Sequence, residues 1–124
     1  MQIYETADPM AIMWSLFKDL GIPVYKDINE VTDDVNIYVL IRTDINNNGR
    51  IYGDGHAHIR KSICDINLVS KNRTALSSGD FAVNCSKIAA ILDGAELTYT
   101  GHDLGYNDSL KAIEYNWSVN ILYG

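Results

Sequence analysis

Ile113-Glu114-Tyr115-Asn116-Trp117-Ser118-Val119-Asn120-Ile121-Leu122-Tyr123 carries the clearest pattern in the chain. Ile113, Tyr115, Trp117, Val119, Ile121 and Tyr123 take every second position, and Glu114, Asn116, Ser118 and Asn120 fall between them. Period two is the period of a strand, so the stretch predicts a long terminal strand with one covered face and one polar face.

Two helices can supply the cover. From Asp8-Pro9 onward, Met13, Leu16, Phe17 and Leu20 recur at spacings of three and four, which aligns them on one stripe of a helix. Asp8 can accept from the free amides of the first turn, and Pro9 suits the first helical position. Gly21 and Pro23 then stop the helix. Ser77-Ser78-Gly79-Asp80 opens a second helix, Phe81 to Leu92, with Phe81, Cys85, Ile88 and Leu92 as its stripe and Gly94 as its terminator.

Between the helices, Val35 to Thr43 is rich in Ile, Val and Tyr and too short for a buried helix, so it reads as a strand. Asp44-Ile45-Asn46-Asn47-Asn48-Gly49 follows, and Asn-Gly is a strong hairpin signal. The return runs through Arg50-Ile51-Tyr52, is interrupted at Gly53-Asp54-Gly55 by a bulge or second turn, and resumes from His56 to Lys71. Val24-Tyr25 is a short extended piece, Glu96 to Thr100 a short strand, and 101–108 a polar loop. The expectation is one α+β domain over 1–124, with an antiparallel sheet, a long hairpin arm over 35–71 and two helices on one face. The element order is α-β-β-α-β-β.

The chain has 124 residues, 47% hydrophobic and 21% charged, so it can bury a core and wholesale disorder is excluded. Its net charge of −6 opposes a surface that tracks nucleic-acid phosphates. The longest apolar run, Ile37 to Ile41, is far below the roughly 20 residues of a membrane helix. Met1 to Glu5 lacks the pattern of a secretory signal, so Cys64 and Cys85 are expected as reduced thiols in the cytoplasm. Asn-x-Ser/Thr triplets at Asn72, Asn84, Asn107 and Asn116 then follow from asparagine richness alone.

No pattern nominates catalysis. Asp44-x-Asn46-x-Asn48-Gly49 imitates half of a calcium loop, but Gly55 stands where the bidentate Glu belongs, so it reads as a turn. His56-x-His58 puts two imidazoles on one strand face as weak metal candidates, and further ligands would have to come from Asp54, His102 or Asp103. Neither spacing nor order binds those together, so no metal and no cofactor are expected. Cys64 and Cys85 lie on apolar faces, where thiols are inert. The charge distribution is asymmetric. Arg42, Arg50, His56, Arg60 and Lys61 cluster in the hairpin, and Asp27, Glu30, Asp33 and Asp34 precede it. Opposed charges on one small domain suit a head-to-tail contact between copies. Arg42, Arg50, Tyr52, His56, His58, Arg60, Asp33 and Asp34 are the candidate interface.

The layout resembles the tail-completion or tail-terminator proteins of tailed phages. A first helix ends in Leu20-Gly21-Ile22-Pro23-Val24-Tyr25, and a long hairpin closes on Asp65-Ile66-Asn67-Leu68-Val69. Then come the helix Phe81 to Leu92 and the strand Tyr115-Asn116-Trp117-Ser118-Val119-Asn120-Ile121. The resemblance spans residues 8 to 123. It implies a non-enzymatic virion protein forming a ring, commonly a hexamer, that stops the tail tube and meets neck or head-completion proteins. DNA would pass through the lumen without specific binding, and no membrane is involved. It also implies a place in the virion tail or neck, reached from the host cytoplasm. The alternatives are another neck or head-closure module, or a small metal enzyme built on His56, His58 and His102.

Overall fold

Two long strands form the spine of the fold: His56–Ser70 (β5) and Ala112–Tyr123 (β8), paired antiparallel from Arg60↔Tyr123 to Ser70↔Ile113. In the computed structural model, residues 3–4, 8–32, 34–43, 49–53, 56–71, 79–101, 105–107 and 111–123 are described, with backbone alone at 3–4, 49–53, 56–60 and 107. The remaining elements are β1 (Ile3–Tyr4), α1 (Pro9–Phe17), β2 (Val24–Tyr25), a 3-10 turn (Ile28–Glu30), β3 (Ile37–Thr43), β4 (Gly49–Gly53), α2 (Asp80–Gly94), β6 (Thr98–Gly101) and β7 (Gly105–Asn107). The sheet runs β1-β8-β5-β3-β2, with β4 also on β5 and with β6 and β7 also on β8. This is an α+β fold.

The alternation read from β8 holds. Ile113, Trp117, Val119, Ile121 and Tyr123 are buried on one face with Cys64, Ile66 and Leu68 of β5 and Val39 and Ile41 of β3. Both helices lie on that face. Ile12, Met13 and Phe17 of α1, Leu20 beyond it, and Phe81, Ile88 and Leu92 of α2 complete the same cluster. Fully burying one such side chain stabilises by about 1.5–3 kcal/mol, so this layer holds the domain together. Asp8 caps α1 by accepting from the Met10 amide at 3.0 Å, with Pro9 opening the helix.

The structure corrects several expectations. The sheet is mixed, not antiparallel throughout, because β1 pairs β8 and β2 pairs β3 in parallel. These pairs are two residues long, too short for any periodicity to show in sequence. The polar loop 101–108 contains β7, which pairs with Ala112 to Glu114. The chain does not reverse at Asn48-Gly49: β3 and β4 both run antiparallel to β5, and the reversal lies between the register partners Gly53 and His56. A reversal at Gly49 would have laid β4 on β3 and left the first half of β5 unpaired on that side. Ladder pairing along a 15-residue strand outweighs a local turn preference.

Gly94 is not the left-handed terminator of α2: it is the last helical residue, Ala95 is the C-cap, and Glu96 takes the left-handed conformation, at φ 56°. The Leu97 amide donates to the Leu92 carbonyl at 3.1 Å and the Glu96 amide to that of Asp93 at 3.0 Å, the paired bonds of a Schellman cap. That cap places Leu97 beside Leu92 in the core, and burial of Leu97 sets where the helix stops.

Candidate interface

After β2 the chain crosses to the sheet face opposite the helices. Ile28, Val31 and Val35 pack there on Tyr38, Leu40, Val69 and Ala112, while Tyr25 meets Tyr38 edge-on at 6.0 Å. These apolar anchors fix the path and leave Asp27, Glu30 and Asp34 exposed. Asp27 accepts from the Asn29 amide at 2.9 Å and so caps the 3-10 turn. Asp34 accepts from the Thr32 hydroxyl, and that bond, aided by a backbone amide and by Lys71, holds its carboxyl below the usual range. Asp34 therefore keeps its charge to lower pH than an ordinary carboxylate. Lys26 does not lie among these carboxylates, since its ammonium sits 4.8 Å from the centre of the Trp14 ring. Asp33 lies outside the described residues.

The hairpin residues lie at the other end of the sheet. Gly49 is level with Lys61, Arg50 with Arg60, Ile51 with Ile59, Tyr52 with Ala57 and Gly53 with His56. One residue, His58, is extra between the last regular pairs, a β-bulge. From Arg60 to Ser70, β5 is paired with β8, so the hairpin over 35–71 is the interior of the sheet for most of its length. Only the ribbon of 51–53 with 56–59 runs past the last β8 pair. Along it, β5 has no second ladder partner among the described residues. Arg42, exposed, stands level with Asp65 on the polar face.

That face carries a cross-strand polar array. The Ser118 hydroxyl donates to Asp65 Oδ1 at 3.2 Å, and the Asn116 amide donates to Asn67 Oδ1 and, at 3.4 Å, to the Ile66 carbonyl. The array binds β5 to β8 and presents no acid–base pair. Among the described residues no three His, Cys, Asp or Glu side chains could share a metal; Asp44, Asp54, His102 and Asp103 lie outside them. Burial pushes the Cys64 thiol up to about 12 and the Cys85 thiol up to about 11, as their apolar faces predict. No described helix is long and apolar enough to cross a membrane.

Sequence reading missed an open groove of about 400 Å³ between α2 and the ends of β3 and β5. Ile22, Ile37, Ser70, Val83 and Lys87 are among its walls. Val83 and Lys87 lie four residues apart on a face of α2 that the core stripe leaves free, which is the only signal the sequence carried. No known family model and no curated protein matches the chain.

Proposed function

We propose that the chain is a non-enzymatic virion structural protein similar to phage tail terminators. It forms a ring, a hexamer by that similarity, that caps the tail tube and joins it to the neck and head. One observation carries the reading: β3, β5 and the C-terminal strand β8 form a sheet with both helices on one face, and the β4–β5 ribbon of 51–53 with 56–59 runs beyond the last β8 pair. The resemblance itself rests on the order of elements along the chain. A two-stranded ribbon is marginal by itself and is stabilised by lying against something, and a neighbouring subunit serves. The partners are then further copies of the chain, the tail-tube protein and neck or head-completion proteins. The acidic composition suits a lumen that lets DNA pass without gripping it.

The reading is tested by joining Arg50 to Arg60 through Asn-Gly in place of residues 51–59. These two are register partners, so a two-residue turn closes the ladder and leaves the β5–β8 pairing whole. The shortened chain is expected to melt cooperatively yet fail to form the cross-linked oligomer ladder, ending at six, that the full chain gives. A shortened chain that still gives that ladder would remove the ribbon from the account. A full chain with no ladder, alone or on tail tubes, would remove the ring.

A further inference from the structure

We propose that the groove between α2 and the ends of β3 and β5 receives Tyr106 of a second copy in a head-to-tail contact. The contact rests on the ring reading above and supplies the joint between neighbours.

Three large apolar side chains are exposed among the described residues: Ile63 at 40%, Val83 at 54% and Tyr106 at 45%. Ile63 belongs to the sheet face opposite the helices, because its neighbour Cys64 lies in the helix-side core. The other two lie on the helix side. Val83 forms a wall of the groove. Tyr106 is level with Ile113, which belongs to the helix-side core, and residues opposed in a ladder share a face.

Knob and groove match in chemistry. The groove holds about 400 Å³, with Ile22, Ile37 and Val83 as apolar walls and Asn84 and Lys87 as polar ones. Tyrosine has the same division, an apolar ring and a hydroxyl that takes a hydrogen-bond partner when buried. Such a side chain seated in a pocket is the commonest kind of anchor between proteins. Charge agrees as well. Exposed Asp80 opens α2 at one end of the groove, and Lys87 lies seven residues on, about 10 Å along the helix. Lys111, also exposed, adjoins Ala112, the register partner of Asn107, so one cation accompanies the tyrosine. That cation suits the Asp80 end, while Lys87 can donate to the phenol oxygen.

Distance makes the contact intermolecular. Ile37, Ser70, Ile113 and Tyr106 stand in one row across β3, β5, β8 and β7. At about 4.8 Å per strand, Tyr106 is about 14 Å from Ile37 of its own chain. Two strands separate them, and Tyr106 is not among the walls of its own groove. Knob and groove are different surfaces, and every copy carries both. Such a contact is heterologous, and it closes into a ring when the rotation allows.

Two variants test this. Tyr106→Ser removes the knob, and Val83→Arg sets a long charged side chain across the groove. Both sites are exposed, so each variant is expected to keep a cooperative melt. By sedimentation, each alone is expected to self-associate at least about tenfold more weakly than the natural chain. An equal mixture is expected to give dimers and stop there. One variant then offers only a groove and the other only a knob, so a single contact forms and no end is left to extend. The natural chain supplies a reading that needs no substitution: nitration of Tyr106, located by peptide mapping, is expected to slow at least about tenfold on association. Variants that associate like the natural chain, a mixture that stays monomeric or grows past two, or nitration that association leaves unchanged would overturn this joint and leave the ring standing. A natural chain that stays monomeric in concentrated solution and on tail tubes would overturn both.

Discussion

The Tyr115 ring lies over the backbone of Gly101, with its hydroxyl 2.5 Å from where a Cβ on Gly101 would stand. Gly101 is level with Trp117, and the Tyr115 and Trp117 rings are 4.5 Å apart, so the bare backbone lets Tyr115 close over the edge of the sheet. Gly101→Ala is expected to destabilise by about 1 kcal/mol, the size of a modest overpacking cost, since the far end of Tyr115 must give way. Adding Tyr115→Phe removes the clashing oxygen and should recover most of that loss. Denaturant titration of the two single variants and the double variant measures the coupling.

At the end of α2, a helical Gly94 and a left-handed Glu96 make opposite demands on substitution. Glu96→Gly removes the left-handed cost and is expected to stabilise by about 0.5–1 kcal/mol. Gly94→Ala is also expected to stabilise, by about 0.5–1 kcal/mol, because Gly94 is the last helical residue, its φ is not positive and a Cβ there meets nothing within 4 Å. Loss of stability in Gly94→Ala would return the cap to Gly94.

Long periodic elements were legible in the sequence, and short ones were not. The Met13-Phe17-Leu20 stripe, the Phe81-Ile88-Leu92 stripe and the Ile113 to Tyr123 alternation each repeat a local preference over several turns or pleats, so they predict both element and buried face. β1, β2 and β7 have two or three residues apiece and exist only because β3 or β8 offers an edge. At Asn48-Gly49 and Gly94 the sequence offers a residue that favours a turn or stop, and tertiary pairing chose another place. The candidate interface divides the same way. The charges were visible, but the opposition of Arg50 to Arg60 depends on where the chain reverses, which no local signal fixed.

In the core, Ile88 and Phe17 have no exposed surface. Ile88→Ala and Phe17→Ala are each expected to cost about 2–5 kcal/mol, read from the shift of the denaturation midpoint at constant slope. A cost below about 0.5 kcal/mol, typical of surface sites, would contradict the packing of both helices on one face.

The thiols give a pH signature. Burial raises Cys64 to about 12 and Cys85 to about 11, whereas unfolded thiols titrate near 8.5. Between those values the unfolded chain binds fewer protons than the folded one. The thiol contribution to stability is therefore complete below about pH 8.5 and falls as pH rises through 11 to 12. At pH 8 the native chain is expected to resist an aromatic disulfide reagent, with both thiols reacting once denaturant is added. Rapid labelling of Cys64 itself in the native chain, located by peptide mapping, would contradict its burial.

The proposed tail-capping role is measured most directly by polymerising a tail-tube protein encoded alongside this chain, with and without it, and reading tube length by electron microscopy. The account predicts tubes that stop growing when the chain is present, each with a six-membered ring at one end. Tubes of unchanged length with no density added at either end would contradict it.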